Sequence, residues 1–284
     1  MSNTRYILTL SCPDVKGIVA AVTAYLAEHD GFILESTQFG DASTQRFFMR
    51  VDFAAGDSTP SHEGLKTSFG DIANRFAMDY ALYEVAKPVR TAILVSKQLH
   101  CLNDLLHRMQ TGRLPIEVPV VISNHPDAGD MAKWHGIAFH HLPMDPGKEA
   151  QEASIRDILE ASNIDLVVLA RYMQILSPEL SAYLSWRCIN IHHSFLPSFK
   201  GARPYHQAHE RGVKLIGATA HYVTDDLDEG PIIEQEVVRV DHADSPAELA
   251  STGHDTEARV LARAVRYHAE HRILPNGRKT VVFT

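Results

Sequence analysis

The spacing of apolar positions changes near residue 90, and the two halves predict different architectures. In the first half, the run YILTLSC from Tyr6 predicts a buried strand. Pro13, Asp14 and Gly17 mark a turn, after which Ile18, Val19, Val22, Tyr25 and Leu26 recur at helical spacing over Ile18–Glu28. Phe32–Phe39 and Gln45–Phe53 predict two strands joined by Gly, Asp and Ser, a hairpin signal. A helix over Glu63–Phe76 and a strand over Met78–Val85 complete the order β-α-β-β-α-β, the split βαβ arrangement of ferredoxin-like domains. The proline-bearing stretch Ala86–Arg90 predicts the linker, which gives domains at 1–86 and 87–284.

Beyond the linker, short continuous apolar runs alternate with amphipathic segments. Strands are expected at Thr91–Ser96, Val118–Ser123, Ile137–Leu142 and Ile164–Ala170, and helices at Leu99–Met109, Asp127–His135 and Lys148–Ser162. A helix over Ala247–His271 and a short strand over Arg278–Phe283 follow further on. Continuous runs mean strands buried on both faces, hence a Rossmann-like α/β domain with a mainly parallel sheet covered by helices. Such sheets bind ligands at the carboxyl ends of their strands.

Composition narrows the function. The 284 residues exceed the ~100–200 of one domain, in keeping with two. Lys and Arg number 27 against 35 Asp and Glu, a net charge of −8, which argues against a nucleic-acid or membrane-surface binder. No apolar run reaches the ~18–20 residues that cross a bilayer, and the N-terminal stretch predicts a strand rather than a signal peptide. Cys12, Cys101 and Cys188 lie far apart without a CxxC, so neither a disulfide framework nor a thiolate zinc site is expected, and a cytoplasmic chain is. Ser96-Lys97-Gln98-Leu99 follows the first strand of the second half. It holds neither GxGxxG nor a Walker loop, which disfavours a dinucleotide or NTP site.

The candidate chemistry lies between residues 171 and 233. In Asn190-Ile191-His192, strand alternation sends Asn190 and His192 to one side and Ile191 to the core. Two donors on one face suit the oxygen of a carbonyl under attack. The bland alternative is a polar strand end with an inert His192, and His193 and His206 compete as functional histidines. Asp225-Asp226-Leu227-Asp228-Glu229-Gly230 is either a solvated acidic turn or a loop that turns one carboxylate against a histidine. The residues alone do not choose among Asp225, Asp226 and Asp228. His221, on the predicted strand Thr219–Val223, supports that carboxylate or fills a core position. A metal is disfavoured: His192 and His193, as neighbours on a strand, point to opposite faces, and His206-x-x-His209 lacks a third ligand.

Asn190-Ile191-His192 with Ser194-x-Leu196-Pro197, then Gly217-x-Thr219-x-His221 and Asp228-x-Gly230-Pro231-Ile232-Ile233, resembles the formyltransferase domain that uses 10-formyltetrahydrofolate. His192-His193 and the run Phe199-Lys200-Gly201-Ala202-Arg203-Pro204-Tyr205-His206-Gln207 are similar to the deformylases of formyltetrahydrofolate within that family. Pro13-Asp14-x-x-Gly17-Ile18-Val19 resembles an ACT domain, a regulatory module. The resemblance implies hydrolysis of 10-formyltetrahydrofolate to formate and tetrahydrofolate, a C–N hydrolase of one-carbon metabolism and purine biosynthesis. Asn190 and His192 would stabilise the oxyanion and Asp228 would position water. Formyl transfer to an amine and a non-catalytic folate sensor are the alternatives. The glycine-rich phosphate cradle of transferases is missing after Ser96, and His193 stands where transferases often have proline. The implied substrate-binding residues are Met173, Gln174, Ile175, Leu176, Val223, Asp225 and His221. Gln174 stands where many relatives carry an arginine for the folate tail. The resemblance implies no metal and no cofactor beyond the folate substrate. It implies a homo-oligomer, dimer or tetramer, with a candidate amino-acid effector site at Pro13, Asp14, Gly17 and Ile18.

Overall fold

The computed structural model describes residues 4–145, 147–196 and 204–284, and the chain divides into two units, Met1–Pro88 with Glu270–Thr284, and Val89–Ala269. In the first unit, β1 (Arg5–Pro13), α1 (Ile18–Glu28), β2 (Gly31–Asp41), β3 (Arg46–Ala55), α2 (His62–Phe76) and β4 (Asp79–Glu84) follow the expected order. The antiparallel sheet runs β2-β3-β1-β4, the ferredoxin-like arrangement. Helix α1 starts at Gly17, whose φ of 97° suits glycine. Ser61 caps α2 by accepting a hydrogen bond from the Gly64 N–H.

The second unit contains β5 (Val89–Val95), α3 (His100–Gln110), β6 (Ile116–Ser123), α4 (Gly129–Trp134), β7 (Ala138–His141), α5 (Lys148–Ala161) and β8 (Leu166–Leu169). It continues with α6 (Pro178–Tyr183), β9 (Cys188–His192), α7 (Pro204–Glu210), β10 (Leu215–Tyr222), β11 (Ile232–Arg239) and α8 (Pro246–Ala269). The seven strands lie in the order β11-β10-β9-β8-β5-β6-β7. β5 to β9 are parallel, whereas β10 runs antiparallel to both β9 and β11. All four residues of β8 are buried, which explains its uninterrupted apolar run. One face packs Ala92, Leu94, Val120, Val167 and Leu169 against Ile155 and Leu159 of α5. Chain order reverses between β5 and β8, so the segments after these two strands diverge and open a crevice at the carboxyl edge.

The chain ends in a hairpin, β12 (Ile273–Asn276) and β13 (Lys279–Val282), that belongs to the first unit. This corrects the expected domain 87–284: the division falls after Pro88, and residues 270–284 leave the second unit. The reason lies in β3. Its residues Phe47, Met49, Val51 and Phe53 join the core with α1 and α2, while Phe48 packs with Leu274, Val281 and Phe283. Arg50, 2% exposed, donates twice to the Glu270 carbonyl (3.2 and 3.1 Å) and once to Glu35 (2.8 Å). The Asn276 amide donates to Asp41 (2.7 Å). The missing polar alternation in RFFMRVDFAA is the sequence signal of this second covered face. Phe283→Ala should lower the unfolding free energy by about 3 kcal/mol in urea titration. An unchanged midpoint would detach the hairpin from this core.

Candidate active site

Register places the first functional side chains. β9 and β10 pair so that Asn190 lies opposite His221 and His192 opposite Thr219. Asn190 and His192 face the same cavity of about 300 Å³, as the alternation predicts. Thr219 anchors the chain as it leaves β9. Its hydroxyl donates to the Ser194 carbonyl (2.9 Å) and accepts from the Leu196 N–H (3.1 Å) and the Gln235 amide (2.9 Å).

The loop between β10 and β11 then selects one carboxylate. Asp225 and Asp226 are exposed, whereas Asp228 turns inward, 17% exposed, with a left-handed φ of 58°. Gly230 permits this turn, because a Cβ there would collide with the Tyr222 carbonyl oxygen. Asp228 Oδ1 accepts from His192 Nδ1 at 3.2 Å and lies 3.8 Å from His221 Nε2. The His192 hydrogen bond holds the Asp228 carboxyl below the usual range, and burial, which opposes this, is outweighed.

His221 behaves differently. Burial pushes its pKa down despite its own hydrogen bond to Tyr222 and the nearby Asp228 charge, so the ring is neutral near pH 7. Nδ1–H donates to the Tyr222 carbonyl (2.9 Å), leaving Nε2 to accept from the Asn190 amide (3.3 Å). That bond fixes the orientation of the amide and leaves its second N–H for a ligand. Among the described residues, neither His192 Nε2 nor His193 Nε2, both buried, has a partner. The expectation that these two rings point to opposite faces is corrected. β9 ends at His192, His193 lies in a bend, and the rings stack with centroids 4.6 Å apart.

The cavity wall is formed by Met173, Gln174, Ile175 and Leu176 on one side and Val223, Asp225 and Leu227 on the other. Met173 and Ile175 are 60% and 62% exposed, an apolar surface suited to a flat ring. Ser96 pins this wall: its hydroxyl accepts from Met173 N–H (3.0 Å) and donates to Asn124 (2.6 Å). Ser177 caps α6 by accepting from the Leu180 N–H, ending the wall.

Sequence reasoning misses a buried ion cluster beside His193. Arg171, with φ 63°, donates through Nε to Gln98 (2.9 Å) and through Nη1 to His193 Nδ1 (3.3 Å), and lies 3.5 Å from Glu257. The fully buried Glu257 also accepts from His100 (2.8 Å) and Tyr205 (2.7 Å), partners that keep it ionised against the cost of burial. The available signal was an arginine directly after the clearest apolar strand. His206 and His209 are exposed on α7; among the described residues, the ligand atoms that gather most like a metal site are those of His100, Cys101 and Glu257. Pro197 and the stretch Phe199–Arg203 lie outside the described residues. In the first unit, Pro13, Asp14 and Gly17 are exposed, but the Ile18 side chain is buried in the core.

An α/β unit with a polar trio in a crevice at the carboxyl edge of its sheet has the features of a formyl-group transfer domain, and a family model described as formyl transferase matches residues 89–265. The formyltetrahydrofolate deformylase of Corynebacterium sp. (strain P-1) is 52% identical over 280 residues, covering 98% of each chain. The crystal structure of formyltetrahydrofolate deformylase from Burkholderia mallei ATCC 23344 superposes with a TM-score of 0.94 at 52% identity, covering 99% of this chain and 100% of that one. Glycinamide ribonucleotide transformylase 1 from Symbiobacterium toebii matches 72% of this chain and 98% of its own, with a TM-score of 0.67 at 34% identity. The chain belongs to the formyl transferase family and, within it, to the formyltetrahydrofolate deformylases.

Burial pushes the pKa of His193 down to about 4, and that of His268, whose Nδ1 accepts from the Tyr222 hydroxyl (2.7 Å), also to about 4. An unfolded histidine titrates near ~6.5. Between these values the unfolded chain binds more protons, so stability rises with pH across roughly 4 to 6.5. The urea midpoint should therefore be higher at pH 7 than at pH 5. Equal midpoints would contradict the buried neutral rings.

Proposed function

We propose that the cavity binds 10-formyltetrahydrofolate and that water attacks the formyl carbon, releasing formate and tetrahydrofolate. The observation that carries this is the unpartnered His192 Nε2, set beside Asn190 and the ionised Asp228 in one cavity. A buried polar atom without a partner costs ~1–3 kcal/mol, and a substrate oxygen would satisfy it.

Asp228 aligns the water. The water oxygen adds to the carbon, the carbonyl π pair moves onto oxygen, and the water proton passes to Asp228. The Asn190 N–H and the Nε2–H of protonated His192 donate to the oxyanion, each donor typically worth ~10²–10³ in rate. Collapse of the intermediate breaks the C–N bond. N10 keeps the pair and takes a proton from the Asp228–His192 couple. Asp228 is a weak base at its lowered pKa, so it holds this proton only briefly. Met173, Ile175 and Leu176 cover the pterin face, with Val223, Asp225 and Gln174 along its edge. His221 acts behind Asn190, through the amide it orients.

The carbonyl is already activated as an N-formyl amine, so the reaction requires no metal and no cofactor. The first unit acts as an ACT-type module that pairs copies of the chain and takes an amino-acid effector around Pro13, Asp14 and Gly17. The exposed Phe32, Leu34 and Phe39 on the edge strand β2 support the pairing. The three buried free thiols fit the reducing cytoplasm.

Formate release from 10-formyltetrahydrofolate, with chelator and without an amine, tests the reaction. Formate and tetrahydrofolate should form in equal amounts, and Asp228→Asn should slow this by ~10²–10⁴-fold. Folate binding without formate would reject hydrolysis and leave amine transfer or a sensor.

A further inference from the structure

We propose that His193 is a catalytic residue that reserves the nucleophile's position for water, through an Nε2–H donor held in place by Arg171. The inference rests on the hydrolytic reading above and names the group that makes water the acceptor.

The tautomer follows from the contacts. Arg171 Nη1 donates to His193 Nδ1, so the single proton of the neutral ring sits on Nε2. Arg171 cannot easily turn away, because Gln98 accepts from its Nε and the buried Glu257 carboxylate lies 3.5 Å from the same atom. His100 and Tyr205 in turn hold Glu257. Gly253, on the same helix as Glu257, leaves room for the Tyr205 ring, with which a Cβ would collide. A chain of buried contacts thus runs from α8 to a single imidazole. With its pKa pushed down to about 4 by burial, then by His192 and Arg171, this ring stays neutral at physiological pH.

Among the described residues, the donor so prepared has no acceptor. A buried donor is rarely left this way unless water or substrate meets it. His192 Nε2, on the stacked ring, is unpartnered too, and both residues line the cavity. The ring centroids are 4.6 Å apart. A carbonyl oxygen and a nucleophile approaching its carbon at ~3–3.5 Å are separated by about 4 Å. The stacked rings are separated by a distance of that order, which assigns His192 to the formyl oxygen and His193 to the water. The water oxygen accepts from His193 Nε2–H, gives its proton to Asp228, and forms the new C–O bond with a lone pair.

The test is a partition experiment on the full-length enzyme with hydroxylamine as a second nucleophile. Its nitrogen attacks the same carbon, the C–N10 bond breaks, and formohydroxamate and tetrahydrofolate form. His193→Phe keeps the ring stack and removes the donor; His193→Gln restores an N–H near the same place. For His193→Phe, kcat for formate should fall by about 10²-fold with KM little changed, while hydroxamate formation stays within about threefold of the unaltered enzyme. His193→Gln should recover a large part of the formate rate. Formate and hydroxamate falling by the same factor would overturn the proposal in favour of a packing role, as would an unchanged formate rate. No formate from the unaltered enzyme would overturn the hydrolytic reading, and this inference with it.

Discussion

The ionised carboxylate of Asp228, largely removed from water, is the constraint on which the catalytic unit depends. Burial alone would push its pKa up. The His192 hydrogen bond prevents this, and the partnership exists only because the loop after β10 reverses through a left-handed residue. The reversal needs Gly230, since any side chain there would meet the Tyr222 carbonyl. Sheet register supplies the rest. β9 and β10 run antiparallel at the point where the parallel sheet ends, which brings Asn190 and His221 face to face.

Three histidines within this region take distinct states from their surroundings. His221 is buried behind Asn190 and accepts from its amide. His193 is kept neutral by burial and receives a hydrogen bond from Arg171. His192 sits between an ionised carboxylate and the cavity, where a proton on Nε2 meets a developing negative charge. The buried Glu257 compensates the Arg171 cation, so the network around His193 is close to neutral overall. This spares it much of the desolvation cost of an isolated charge.

Much of this was legible in local patterns. Period-two and helical spacing marked the elements of both units, and Asn190 and His192 shared a face because β9 is a regular strand. Other features were not legible, for reasons of backbone course or long-range packing. The choice of Asp228 over Asp225 and Asp226 depends on a backbone reversal that four neighbouring carboxylates do not encode. The Arg171–Glu257 contact joins residues far apart in the chain, and Glu257 lies in a helix rich in charge. The C-terminal hairpin answers a need of β3, whose second buried face becomes evident only when Phe48 and Arg50 are seen to be covered. Strand alternation does not reach His193, because β9 ends at His192.

A double-mutant cycle on kcat/KM for formate release, built from His192→Ala and Asp228→Asn, tests the central claim most directly. If the two side chains act as one proton-handling couple, the double variant should be about as slow as the slower single variant. Two factors that simply multiply would mean that each residue acts independently, and would contradict the account.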